Sequence, residues 1–136
     1  MGKLHLLSGL FTLVIFALSG QYMLHVLELP EGPLDVQRVI YRASHIYILL
    51  IGALNFLLGY YFKWETNGLM RAIQWLSSLV LIGSQAVFIY AFLTEPLAVD
   101  LGRRLTFVAC VMVLAGVVAV PLAKGITFVL AKGRIR

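Results

Sequence analysis

Two histidines and one acid flank the first polar loop of the chain, and their spacing suits metal or haem ligation. His25 and Glu28 are three residues apart and would share a helix face, while His45 stands near the start of the next apolar segment. If the two segments form a hairpin, both imidazoles reach one depth. Imidazole and carboxylate ligate divalent metals, and two facing imidazoles can hold a b-type haem. We predict a candidate metal site of His25, Glu28 and His45, and a candidate haem or quinone site of His25 and His45.

Arginines surround this group. Arg38 and Arg42 continue the face of His45 outwards and are candidate ligands for an anion such as a haem propionate or a lipid phosphate, with Arg103 and Arg104 on the second loop of the same side. A simpler interpretation is an interfacial cluster, because such residues gather where a membrane meets water. No cofactor is therefore the default expectation, with b-type haem or a divalent metal as the alternative. His5, at the opposite end, is expected on the surface of the first turn.

A second polar group lies deep inside apolar segments. Gly52, Asn55 and Gly59 have spacings of three and four and share one helix face, and Ser78 and Gln85 lie on a polar face of the third segment. Counted at about 1.5 Å per residue, Asn55 reaches the level of Ser78. We predict all five as helix-packing residues, with Asn55 approaching Ser78 between helices two and three. A neutral-solute path along these side chains is the alternative.

The elements that position these residues are long apolar helices. Hydrophobic residues make up 61% of the 136 residues and charged residues 12%, which is typical of a membrane protein. No segment alternates with period two, and short links make successive helices antiparallel neighbours. The sequence predicts one domain over 1–136, an all-α integral membrane protein with four transmembrane helices in an up-down-up-down antiparallel bundle. Their expected ranges are 4–27, 36–62, 70–93 and 101–123, with 124–136 a basic cytoplasmic tail or helix extension.

The basic residues predict how the bundle is oriented. Seven Lys and Arg residues fall on the side of the two termini and four on the other side. Because Lys and Arg are retained where the chain is synthesised, both termini are predicted to be cytoplasmic, in a multi-pass protein of the cell inner (plasma) membrane. Anionic lipid headgroups are the nearer partner for this charge, so nucleic acid is not expected.

The function classes narrow accordingly. Cys110 is the only cysteine, and no phosphate-binding glycine loop or nucleophile–base pair is visible, which disfavours an enzyme. We expect a structural or interaction protein, or an accessory subunit of a membrane assembly. Its partners would be the lipid bilayer and either a membrane protein or further copies of the chain, contacted through small residues: Gly9, Gly20, Gly83 and Gly116. The alternatives are a redox protein using His25, Glu28 and His45, and a small-solute transporter without the membrane-embedded acid that proton-coupled export requires.

Overall fold

Four long helices form the architecture. The computed structural model describes residues 1–25, 35–97 and 102–133, the side chains of residues 35 and 126–133 excepted, and over these ranges all regular structure is helical. The helices are α1 (Gly2–His25), α2 (Asp35–Tyr61), α3 (Gly68–Thr94) and α4 (Arg104–Gly133), and a short 3-10 turn, Glu95–Leu97, follows α3. The prediction of an all-helical chain with four long apolar helices is confirmed for the described ranges.

Each helix is long and apolar enough to cross a membrane. The four candidate spans contain 22 to 30 residues, and at about 1.5 Å per residue even the shortest covers a hydrocarbon core of about 30 Å. The distribution of polarity agrees with this. Leu7 is 64% exposed and Phe107 69%, whereas the amide of Asn55 is fully buried. Such an arrangement suits lipid as the solvent, and the four candidate spans indicate a membrane protein.

The helix ends follow local chemistry. The side chain of Asn67 caps α3 by accepting hydrogen bonds from the backbone N–H groups of Leu69 and Met70, at 2.9 and 3.4 Å. Before α4, Gly102 has a φ of 69°, a left-handed conformation that glycine adopts without strain. α4 continues past residue 123 to Gly133, with Pro121 inside the helix. Of the two forms predicted for 124–136, a tail or a helix extension, residues 124–133 therefore adopt the helix extension.

Glycines let α1 and α2 pack with their backbones in contact. A Cβ atom placed on Gly9 would lie 2.8 Å from Phe56 Cα and 2.9 Å from the carbonyl oxygen of Gly52. One placed on Gly59 would lie 2.7 Å from Leu6 Cα. Contacts this short are with backbone atoms that cannot rotate away. Glycine at these positions is therefore a requirement of the close helix packing.

The bundle is open on one side. Over the described ranges, α1 packs on α2 and α4 packs on α3, the two pairs join mainly through α2 and α3, and α4 hardly touches α1 or α2. The buried core lies along the junction and consists of Tyr41, Ile48, Ile51, Leu81, Phe88, Phe92 and Ala109. An open edge between α1 and α4 and a groove between α2 and α4 follow from this arrangement.

Candidate functional site

A buried hydrogen bond joins the first turn of α1 to the C-terminal part of α2. His5 Nδ1 lies 2.6 Å from Asn55 Oδ1, and Asn55 Nδ2 donates to the carbonyl oxygen of Ile51 at 3.0 Å. Since the amide oxygen faces the ring, Nδ1 carries the hydrogen and the lone pair of neutral His5 is on Nε2. His5 is 1% exposed, so the expectation of a surface histidine is wrong. Close glycine packing draws its ring into the interface.

The packing partner of this face of α2 is α1. The sequence favoured an approach of Asn55 to Ser78 on α3. In the structure Asn55 forms a hydrogen bond with His5 on α1, and Gly52 and Gly59 also contact α1. Helical periodicity gives the polar face of α2 and leaves open which neighbour covers it. A matching signal exists in α1, where His5, Gly9 and Thr12 are spaced by four and three residues, as Gly59, Asn55 and Gly52 are in reverse.

Gln85 lies between α3 and α1. Its Oε1 atom is 2.9 Å from Thr12 Oγ1, which also lies 2.9 Å from the carbonyl oxygen of Ser8, while Gln85 Nε2 is buried without a partner among the described residues. One hydroxyl hydrogen cannot serve two acceptors. Reversing the amide lets Nε2 donate to Thr12 while Thr12 donates to Ser8, and the Oε1 acceptor then takes the buried position that has no partner among the described residues. Gln85 thereby links α3 to α1.

The imidazole of His45 is held at the α1–α2 interface. Ser19 Oγ donates to the carbonyl oxygen of Phe16 at 2.8 Å and lies 2.8 Å from His45 Nδ1, so Nδ1 is the donor of that second bond. The ring stacks on Phe16 with centroids 4.1 Å apart, and Gly20 lies against its Cε1 and Nε2 edge. Both histidines of this interface thus use Nδ1 internally and keep Nε2 as an acceptor.

The other members of the predicted cofactor cluster lie further out. His25 is the exposed last residue of α1, about 9 Å along the helix axis from Ser19, which bonds His45. Arg38 is partly buried and Arg42 is exposed. Glu28 lies outside the described residues, and within them no three His, Cys, Asp or Glu side chains group as metal ligands. The metal and haem sites therefore stay predictions.

A buried acid fixes the start of α4. Glu95 is 6% exposed; its Oε1 accepts the backbone N–H of Thr106 at 2.8 Å, and its Oε2 accepts the Thr106 hydroxyl at 2.5 Å. Arg103 approaches Oε2 with Nε at 3.6 Å, and its Nη2 donates to Ser44 on α2 at 3.1 Å. Backbone N–H groups in the first turn of a helix have no helical acceptor, so Glu95 acts as their cap. Arg103 is part of this network, whereas the sequence pattern made it a candidate ligand for an anion.

A cavity of about 460 Å³ lies beside the α2–α3 link, and residues from all four helices line it. We call it the link cavity. His5 of α1 and the neighbouring serines Ser77 and Ser78 of α3 supply its polar wall, and Lys63 and Lys124 lie at its charged part. Gln74 closes this end, since its Oε1 accepts the backbone N–H of Glu65 and its Nε2 donates to Lys63 O, each at 3.0 Å. This cavity could not be predicted from the sequence, because its lining residues come from four separate parts of the chain.

A second cavity, the apolar groove, continues from the first. It has a volume of about 360 Å³ and lies between α2 and α4 over Phe88 of α3. Leu54 and Val117 line both cavities. Its other walls are Tyr47, Leu50, Ile51, Cys110, Val113 and Leu114. The molecule therefore carries one amphipathic crevice, polar beside the link and apolar further along the helices.

Comparisons with known proteins give no further guide. No protein-family model, no curated protein and no solved structure matches this chain. The class that fold and polarity indicate is a small all-helical protein with four helices able to span a membrane.

Proposed function

We propose that the chain is a multi-pass inner (plasma) membrane protein whose four helices run up-down-up-down with both termini cytoplasmic. The order of contacts supports opposite directions for α1 and α2, since Gly9 meets Gly52 and Phe56 whereas Leu6 meets Gly59. Between α3 and α4, Gly83 lies against Met112 and Leu81 lies against Gly116. Residue numbers thus fall along α3 as they rise along α4, which supports opposite directions for these two helices as well. The excess of Lys and Arg on the terminal side supports the cytoplasmic assignment.

Within that membrane, the function that the geometry supports best is an interaction module: an accessory subunit of a membrane assembly or a self-associating protein. The observation that carries this proposal is the open edge of the bundle, where α1 lacks the cover by α4 that a closed four-helix bundle would provide. A second membrane protein or a second copy could complete this edge.

The uncovered side of α1 has the pattern of a helix-packing face. Large apolar side chains recur on it with spacings of three and four residues, and all are at least 46% exposed: Leu4, Leu7, Phe11, Val14 and Leu18. The opposite side of α1 holds His5, Thr12 and Ser19 against the rest of the bundle. The glycines that the sequence offered for partners lie inside the chain, since Gly9, Gly20, Gly83 and Gly116 contact other helices of the same molecule. We assign partner contact to the large side chains of α1.

Crosslinking in the native membrane tests this assignment. In a Cys110→Ala background, Val14→Cys on α1 is compared with Ile46→Cys on α2; the two side chains are 51% and 53% exposed. Oxidation should give a disulfide-linked dimer from position 14 if the partner is a second copy. A photoreactive benzophenone residue at position 14 should give a defined protein adduct if the partner is another membrane protein.

The control position decides the outcome. Ile46 has the same exposure to lipid, so random collision in the bilayer crosslinks both positions equally. Adducts formed at position 14 and absent at position 46 support the interaction module. Equal yields at both positions, or adducts with lipid alone, would refute it.

A further inference from the structure

We propose that the link cavity and the apolar groove together bind one phospholipid that carries a net negative charge. The phosphate head would occupy the link cavity beside Lys63 and Lys124, and an acyl chain would lie along the groove between α2 and α4. This inference goes beyond the interaction module and uses a different side of the molecule from the α1 face.

Two serine hydroxyls in the cavity wall are available to a ligand. Ser77 and Ser78 are 6% and 3% exposed, both line the link cavity, and neither side chain makes a hydrogen bond within the described part of the chain. Ser84, one to two turns further along α3, donates to the carbonyl oxygen of Leu81 at 2.7 Å instead. Neither hydroxyl oxygen is among the fully buried side-chain atoms that lack a partner, so both can be reached from the cavity, where phosphate or ester oxygens would accept both hydrogens.

The same cavity presents acceptors. His5 lines it, and its Nδ1 hydrogen is committed to Asn55, so the Nε2 lone pair is available to a headgroup hydroxyl. Pro121 also lines the cavity and has no backbone N–H, so the carbonyl of Val117 lacks its helical donor. A glycerol-type headgroup carries hydroxyls that match these acceptors.

The charge at the cavity favours an anion. Lys124 forms an ion pair with Glu65, which cancels one positive charge within the cavity lining. Lys63 is exposed, and its side chain has no acidic partner among the residues the structure describes. The lining therefore keeps one net positive charge, which matches the single charge of a phosphodiester. Basic pockets between membrane helices are suited to anionic headgroups because lipid phosphates lie at this depth.

The apolar groove distinguishes a lipid from a soluble anion. A free phosphate would occupy only the polar link cavity. It has no apolar part that could fill the adjoining groove of about 360 Å³. Leu54 and Val117 line both cavities, so the head and the chain of one molecule can occupy them together. The occupant is thus an amphiphile that enters from the bilayer.

Native mass spectrometry in a neutral detergent tests the site. The probes are phosphatidylglycerol, phosphatidylcholine with the same acyl chains, and inorganic phosphate. The purified full chain should bind one phosphatidylglycerol in preference to phosphatidylcholine, and inorganic phosphate should not displace it. If phosphate binds as well as the lipid, the site takes a free anion and the lipid proposal is overturned.

Charge variants test the head. Lys63→Gln should weaken phosphatidylglycerol binding by about fivefold, and the further change Lys124→Gln by about fivefold again, in line with the usual effect of one lysine near a lipid surface. Lys3→Gln is the matched control, because Lys3 is exposed on the first turn of α1 and does not line the cavity. Lys63 is exposed, so its variant should fold normally. Equal losses in the Lys3 and Lys63 variants would overturn the assignment.

A pair of adjacent residues on α4 tests the chain. Val117 lines the groove, whereas Val118 does not, and the two are 42% and 43% exposed. Val117→Phe should fill the groove and weaken lipid binding, while Val118→Phe should bind as the parent does. If both variants bind the lipid as tightly as the parent, the acyl chain does not lie in the groove.

Discussion

His5 on α1 and Asn55 on α2 are 50 residues apart in the chain and share a buried hydrogen bond of 2.6 Å. Both residues are at most 1% exposed, and the ring of His5 also lies 5.7 Å from the ring of Phe62. A polar pair in an apolar interface has no water as an alternative partner. The bond therefore fixes the register in which α1 and α2 pack.

Removing one partner should cost more than removing both. Asn55→Leu leaves the Nδ1 hydrogen of His5 buried without an acceptor, and we expect a loss of about 1 kcal/mol in the free energy of unfolding. In the double variant His5→Phe with Asn55→Leu, both polar groups are gone and part of the loss should be recovered. Thermal unfolding in detergent measures all four members of this cycle. Additive losses would mean that the two side chains do not interact.

The four helices could be predicted from the sequence because length and hydropathy alone determine them. The range predicted for the first helix, 4–27, compares with Gly2–His25, and the third, 70–93, with Gly68–Thr94. Hydropathy carries no information on which faces meet. Periodicity placed Gly52, Asn55 and Gly59 on one face of α2, but their partner was misassigned because α3 has the more conspicuous polar face.

The sites were harder to predict than the helices. His25 and His45 are conspicuous in the sequence, yet the contacts of His45 are with Ser19 and Phe16, which carry no cofactor signal. The link cavity is lined by two serines, Ser77 and Ser78, that have no distinguishing pattern in the sequence. Cavities arise where side chains are small or helices diverge, and neither property has a motif.

Close packing of α1 on α2 predicts sensitivity at Gly9. In Gly9→Ala the new Cβ would meet backbone atoms of Phe56 and Gly52, so the helices must separate and we expect a loss of about 1–3 kcal/mol in stability. Gly68→Ala is the control, because a Cβ at Gly68 meets nothing within 4 Å. Unfolding of both variants by a denaturing detergent gives the comparison. Similar stability of the two would show that α1 and α2 are not in backbone contact.

Pro121 should lower the stability of α4 and thereby keep an acceptor in the link cavity. Pro121→Ala restores a backbone N–H for the carbonyl of Val117, so we expect a higher midpoint of thermal unfolding. The new hydrogen bond would also withdraw that carbonyl from the cavity, and phosphatidylglycerol binding should weaken. A variant that is more stable and binds lipid as tightly as the parent would show that the carbonyl does not contact the headgroup.

The buried carboxylate of Glu95 should be more important for stability than the partly exposed carboxylate of Glu65. Glu95→Ala removes the cap from the Thr106 backbone N–H and the partner of Arg103, and we expect a loss of about 2 kcal/mol, as for a charge-assisted hydrogen bond and a helix cap together. Glu65→Ala breaks only the ion pair with Lys124, whose side chain is 53% exposed, and should cost less than about 1 kcal/mol. Equilibrium unfolding of the two variants under one set of conditions ranks them. Thr106 lies in the first turn of α4, so amide hydrogen exchange at that end of the helix should become faster in Glu95→Ala and stay unchanged in Glu65→Ala. The reverse order would show that other contacts hold the start of α4.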